Sequence, residues 1–230
     1  MALVVVGGHT RNIGKTSVVA GLIAALPELN WTAFKITQFG HGVCSANGEP
    51  CDCETADHTL AISQERDFAS GTDSSRYLAA GAARSFWVRT RQGQLAAAMP
   101  RLRREFAQSE NTIVESNSIL RFVRPDLFLS VLDAGTADFK PSAKHYLDRA
   151  QGIILTGGGL RTAAWPEVSL KLIAHARVFH GQEGAYCSPE LVEFVRKTVE
   201  LARTPSTPEL QRDAASTSST RKSVVLDGTP

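Results

Sequence analysis

The stretch Val4-Val5-Val6-Gly7-Gly8-His9-Thr10-Arg11-Asn12-Ile13-Gly14-Lys15-Thr16-Ser17 reads as a buried strand, a glycine-bearing loop and the first turn of a helix. Consecutive β-branched apolar residues suit a strand covered on both faces. A Gly-Lys-Thr that opens a helix directly after such a strand has a specific chemistry. Main-chain N–H groups wrap a polyphosphate, the lysine ammonium reaches the outer phosphates, and the threonine hydroxyl ligates Mg²⁺. The positive end of the helix dipole adds to the attraction. Gly8, His9, Thr10, Arg11, Asn12, Ile13, Gly14, Lys15, Thr16 and Ser17 are therefore the expected binding residues for ATP or GTP with Mg²⁺. A chance Gly-Lys-Thr at a helix start is the bland alternative. The strand, the two turn glycines and the apolar-faced helix that follows all count against it.

From this segment outward, apolar β-rich runs alternate with helical patterns. The strands expected are Ala2–Gly7, Trp31–Thr37, Ser85–Thr90, Asn111–Glu115, Asp126–Leu132 and Gly152–Thr156. Helices are expected over Lys15–Leu26, Ser74–Ala83, Gln92–Ala107 and Ser142–Arg149, with further packed segments at Val168–Ala176 and Pro189–Ala202. That alternation predicts an α/β fold: a doubly wound, mostly parallel sheet with helices on both faces. Residues 1–203 form the expected domain, interrupted by a long polar, cysteine-rich insertion at about 39–72. Residues 204–230, rich in Ser, Thr and Pro, are expected to form a disordered tail.

The bulk composition narrows the partners. The chain has 230 residues, 43% hydrophobic and 21% charged, with a formal net charge of +2. So small a charge gives no electrostatic reason to expect nucleic acid or an anionic membrane. No apolar run reaches the roughly 18 residues of a membrane span, and Met1-Ala2 lacks the basic start of a signal peptide. The expected location is cytoplasmic.

Glu115 ends an apolar strand, which would put its carboxylate at the carboxyl edge of the sheet, where ligands of open α/β folds bind. There it would hold the Mg²⁺ shell or orient an attacking water, so Lys15 and Glu115 are the catalytic candidates and Thr16 and Glu115 the Mg²⁺ candidates. The bland reading is a solvated acid. Asp133 ends a second such strand. Asp73 is either a Mg²⁺ or substrate contact or an ordinary helix N-cap. Arg11 lies inside the loop and faces either an anion or solvent. Cys44, Cys51 and Cys53, with His41 or His58, are dense enough to gather Zn²⁺ or an iron–sulfur cluster. Free thiols, or a thiolate acting on a substrate, are the alternatives. No Asn-Lys-x-Asp follows the Gly152–Thr156 strand; Gly157-Gly158-Gly159 stands there, as a turn or as a site of close backbone approach to a base.

The loop spacing Gly8-x5-Gly14-Lys15-Thr16 resembles that of the dethiobiotin synthetase and cobyrinic acid amidating synthetase families, in which the nucleotide activates a small carboxylate. A second resemblance covers roughly the first two thirds of the chain in element order. Lys35 at a strand end, Asp73-Ser74 with the helical Ala80-Gly81-Ala82, and the strand Thr112-Ile113-Val114-Glu115 resemble the molybdopterin-guanine dinucleotide biosynthesis accessory family. The chain differs at His9, at Thr37-Gln38 where that family has histidines, and at Ser116 where it has glycine. These likenesses imply a P-loop NTPase acting in cofactor metabolism on a small anionic substrate or cofactor precursor. An ATP-dependent carboxylate synthetase, or a nucleotide switch acting through a protein partner, is the alternative. A homodimer joined at a sheet edge is also implied.

Overall fold

In the computed structural model, which describes residues 1–39, 60–163, 165, 168–182 and 184–204, Ala2–Gly8 forms strand β1 with every residue buried. Val4, Val5 and Val6 are fully removed from solvent, each contributing about 1.5–3 kcal/mol relative to an exposed side chain. Alternate side chains enter different cores. Leu3 and Val5 join one apolar cluster, and Ala2, Val4 and Val6 the other.

After β1 come α1 (Lys15–Ala25), β2 (Trp31–Phe39), β3 (Leu60–Gln64), α2 (Asp73–Ala79), β4 (Arg84–Arg91), α3 (Met99–Ala107) and β5 (Asn111–Glu115). Then follow β6 (Leu127–Asp133), α4 (Pro141–Tyr146), β7 (Gly152–Thr156), β8 (Arg177–His180) and α5 (Pro189–Arg203). The eight strands form one sheet in the order β3-β4-β2-β5-β1-β6-β7-β8. All pairings are parallel except β3 with β4. One face is covered by α1, α5 and Tyr77 of α2, the other by α3 and by Tyr146 and Leu147 at the end of α4. This is the doubly wound α/β sheet that the alternation of patterns predicts.

Two strands stand where the sequence predicts none. β3 lies in the stretch expected to be a polar loop, and its half-buried Leu60 and Ile62 gain a place only by pairing with β4, Leu60 opposite Thr90 and Gln64 opposite Phe86. β8 has four residues and pairs with β7, while the helix-like 168–176 pattern yields only a 3₁₀ turn at Leu170–Ile173. Both are sheet-edge strands, whose identity comes from the neighbour rather than from local sequence. The helix expected from Gln92 begins at Met99 behind a 3₁₀ turn, with Pro100 in its first turn, where a missing N–H costs no bond. Among the described residues no helix is long and apolar enough to cross a membrane. The expected 204–230 tail lies outside the described residues beyond Thr204.

Parallel pairing aligns the carboxyl ends of β1, β2, β5 and β6 on one edge of the sheet. β1 is the central element: Val6 is in register with Glu115 of β5, and Gly8 with Val131 of β6. The loop after β1 therefore opens between those two neighbours, the crevice where open α/β sheets bind ligands.

Candidate functional site

The loop from His9 to Gly14 is shaped by two residues in the left-handed region, Asn12 at φ 57° and Gly14 at φ 90°. Asparagine tolerates that conformation and glycine adopts it freely. At Gly14 a side chain is excluded a second way, since a Cβ there would stand 2.2 Å from Cε1 of Tyr186. The result is a concave ribbon of backbone that runs straight into α1. Among the described residues, no protein acceptor takes the main-chain N–H of any residue from Thr10 to Ser17. Those eight donors line or adjoin a cavity of about 1160 Å³, together with the side chains of Lys15, Lys35, Asp73, Glu115 and Lys140. Successive unpaired N–H groups of this kind form an anion cradle.

Two side chains hold the loop in place. Asn117, two residues past β5, donates its Nδ2 to Gly8 O at 2.8 Å and accepts Gly8 N–H on Oδ1 at 3.0 Å. His9 is fully buried, with Phe139 and Trp165 at ring-centroid distances of 5.0 and 5.5 Å. Its Nε2 accepts the Asp133 N–H at 2.9 Å, so its Nδ1 carries the proton and donates to Asp138 O at 2.8 Å. Its own N–H donates to Val131 O at 3.2 Å, and its carbonyl accepts Lys140 N–H at 2.9 Å. Burial lowers the His9 pKa below the ordinary histidine value. Every polar group of His9 is thus taken by the protein. This corrects its expected place among the phosphate contacts: the residue anchors the loop to the end of β6. Gly8 N–H, given to Asn117, is likewise committed to the scaffold.

Lys15 Nζ folds back on Thr10 O at 2.5 Å, and burial brings its pKa down to about 8. Thr16 Oγ1 donates to Glu115 Oε2 at 2.8 Å. Glu115, 3% exposed, also accepts Tyr77 OH on Oε2 and Lys35 Nζ on Oε1, the latter at 2.5 Å. Lys35 at the same time meets Asp73 at 2.7 Å and Thr16 Oγ1 at 3.4 Å. Burial opposes the charge on Lys35, but Glu115 and Asp73 more than offset it and raise its pKa. Burial, then the neighbouring Glu115 carboxylate, raises that of Tyr77 well above the ordinary phenol value. Three oxygens from Thr16, Glu115 and Asp73 therefore converge on the Lys35 ammonium, and oxygen is the ligand type that a hard divalent ion takes.

Thr72 settles the role of Asp73. Thr72 is the N-cap of α2, its Oγ1 accepting Ser75 N–H at 3.1 Å, which leaves the Asp73 carboxylate for Lys35. Asp133 does not share the geometry of Glu115. Its carboxylate accepts Gly135 N–H at 3.2 Å and Thr136 OH at 2.5 Å, and the turn after β7 packs around it through Gly157. The expected cysteine site (Cys44, Cys51, Cys53 and His58) lies outside the described residues, and no group of three His, Cys, Asp or Glu suited to a metal occurs among the described ones. Cys187 is packed, its Sγ–H donating to Val18 O at 3.4 Å. Sequence reasoning missed the roles of Lys35, Tyr77, Asn117, Lys140 and Tyr186. Lys35 stood at a strand end, but the others carried no local signal.

No protein-family model and no curated protein matches the sequence. Solved structures do. HypB from Helicobacter pylori in complex with nickel is similar at TM-score 0.46 and 13% identity, over 89% of this chain and 90% of that one. The hydrogenase maturation factor HypB from Archaeoglobus fulgidus is similar at TM-score 0.46 and 13% identity, over 86% and 90%. The apo form of LpxK from Aquifex aeolicus in complex with ATP is similar at TM-score 0.45 and 15% identity, over 78% of this chain but only 53% of that one. At such identities no residue role and no activity passes from them to this chain. With the glycine loop between a central parallel strand and a helix, an acid at the end of the neighbouring strand, and helices on both faces of the sheet, the chain has the P-loop NTPase fold.

Proposed function

We propose that this protein binds Mg²⁺ with ATP or GTP and hydrolyses it beside a bound small anionic molecule, as an accessory NTPase of cofactor metabolism. The observation that carries the reading is the run of eight main-chain N–H groups, Thr10 to Ser17, without a protein acceptor. Consecutive N–H groups left without a protein acceptor at the wall of a cavity form a concave donor array for an anion, and a polyphosphate satisfies many of them at once. In this reading Lys15 turns from Thr10 O to the outer phosphates. Thr16 and Glu115, with Asp73 beside them, would hold Mg²⁺, whose chemistry there is to neutralise phosphate oxygens. Lys35, already among those oxygens, adds a positive charge next to the terminal phosphate. Glu115 orients the attacking oxygen or its water.

The second ligand follows from charge and volume. A cavity of about 1160 Å³ exceeds the roughly 300–1,000 Å³ of an ordinary small-molecule site, so a nucleotide leaves space beside it. Arg11 and Lys140 both reach that space, and burial together with the Arg11 charge lowers the Lys140 pKa. A bound anion relieves that repulsion. The motifs shared with the molybdopterin-guanine dinucleotide accessory family support a role in assembling a cofactor, with the cysteine segment supplying Zn²⁺, iron–sulfur or thiol chemistry. The Arg11–Lys140 pair favours a second reading, activation of a carboxylate.

Single-turnover reactions with γ-labelled nucleotide and a panel of small carboxylates separate the two. Label released as phosphate supports the NTPase, and label transferred to an acceptor supports the synthetase. Absence of binding of either nucleotide by calorimetry would overturn both.

A further inference from the structure

The cradle has a polarity. Glu115, Asp73 and Lys35, which mark where the terminal phosphate and its metal belong, lie on the β5/β2 side of the loop. The other end of a nucleotide must then leave the loop over the N-terminus of α1, toward the β6–β8 half of the sheet. One aromatic side chain waits there. The Tyr186 ring lies against Gly14, close enough that a Cβ on Gly14 would meet three of its atoms within 2.2–2.8 Å, and it lines the cavity wall. The ring is half-buried, and its hydroxyl has no hydrogen-bond partner among the described residues.

The position of this ring is built rather than incidental. Helix α1 has a second glycine, Gly21, two turns after Gly14, and a Cβ there would stand 2.7 Å from Cys187 Sγ. Tyr186 and Cys187 thus dock as a pair into two glycine notches on one stripe of the helix, Gly14 and Gly21. Cys187 adds its bond to Val18 O at 3.4 Å between them. The Gln182–Ala185 bridge holds the segment on one side. On the other, Ser188 caps α5 by accepting Leu191 N–H at 3.3 Å. A flat π surface held against the loop at Gly14, half-exposed and lining the cavity at the edge of a phosphate cradle, is a surface on which nucleobases stack.

We propose that Tyr186 is the nucleobase platform of this site, stacking the base of the bound triphosphate beside Gly14. The inference rests on the nucleotide reading above and adds the group that recognises the base. Stacking accepts any base face, so Tyr186 serves ATP and GTP alike.

The test compares Mg²⁺ complexes of non-hydrolysable ATP and GTP analogues with Mg²⁺–tripolyphosphate, which has the phosphates but no base, by calorimetry on the full chain. Tyr186→Leu keeps bulk against Gly14 but removes the π face, and Tyr186→Phe keeps the face. Tyr186→Leu is expected to weaken both nucleotide analogues about five- to a hundredfold and to leave tripolyphosphate within about twofold, while Tyr186→Phe binds all three like the wild type. Equal weakening of tripolyphosphate would make the ring a support of the loop and overturn the proposal. So would unchanged nucleotide binding in Tyr186→Leu. If wild type binds neither tripolyphosphate nor nucleotide, the nucleotide reading itself falls. If it binds both equally well, that reading stands and the platform alone falls.

Discussion

Replacing His9 by alanine removes the strut that ties the phosphate loop to the end of β6, and its cost can be worked from the contacts. The buried imidazole accepts the Asp133 N–H and donates to Asp138 O. Without it the Asp133 N–H is orphaned, at about 1–3 kcal/mol for a buried donor left unpaired. Asp138 is exposed, so water can replace that second bond. Lost packing against Phe139 and Trp165 adds roughly 1–2 kcal/mol. The expected loss is thus about 2–5 kcal/mol in urea unfolding at pH 7.5. The difference must also depend on pH in a fixed direction. Desolvation lowers the His9 pKa in the folded state, against the favourable charges of Asp133 and Asp138 and alongside the opposing charge of Lys15. The folded protein therefore takes up its proton later than the unfolded chain, and the stability His9 contributes is present above about pH 6.5 and is lost as pH falls below it. Between pH 7.5 and 5.5 the wild type should lose up to about 1.4 kcal/mol that His9→Ala does not lose, so the gap between them narrows in acid. A gap that stays constant or widens, or a variant within about 0.5 kcal/mol of wild type, would refute the reasoning.

Lys15→Ala should abolish tight binding of the Mg²⁺–nucleotide by calorimetry, and unchanged affinity would remove the phosphate-loop assignment. Glu115→Gln should keep nucleotide binding but lower single-turnover hydrolysis at least about a hundredfold, since the group that gathers Thr16, Lys35 and Tyr77 loses its charge; equal turnover would clear Glu115 of a catalytic role. Gly21→Ala should destabilise the wild type through the 2.7 Å approach to Cys187 Sγ. In a Cys187→Ala background the same change should stabilise by about 1 kcal/mol, the helix preference for alanine over glycine, and thermal melts of the four variants read the reversal of sign. Burial raises the Cys187 thiol to about 11 from an ordinary 9.0. Iodoacetamide at pH 8 should therefore label it about a hundredfold more slowly in the native protein than in urea, by peptide mapping. Metal analysis of protein purified without added metal should find near-stoichiometric metal that Cys51→Ser loses; a metal-free folded wild type would retire the metal role of Cys44, Cys51, Cys53 and His58.

Much of the fold was legible because the central strands announce themselves. β1 and β7 carry apolar runs and β5 an Ile113-Val114 centre, and the Asn111–Glu115 and Gly152–Thr156 strands lie where these predict. The edge strands β3 and β8 were not legible. Their residues are partly exposed, so no strong pattern is imposed on them, and only a neighbour's hydrogen-bonding edge makes them strands. Within the site, the local motif exposed Lys15, Thr16 and Glu115. It could not show that His9 turns inward, because that depends on Asp133, Asp138, Phe139 and Trp165, all more than 120 positions away.

By itself, then, the sequence determined a central β-branched strand, a glycine-shaped loop and a helix, and with them a place for phosphate. These are properties of short segments whose chemistry is local. Tertiary structure alone decided which loop donors stay free and which are committed, and that Lys35, Asp73, Glu115 and Tyr77 share one cluster. It alone placed Tyr186 on Gly14. Such contacts join residues tens to more than a hundred positions apart, and only the closing of the parallel sheet brings the carboxyl ends of its strands to one edge.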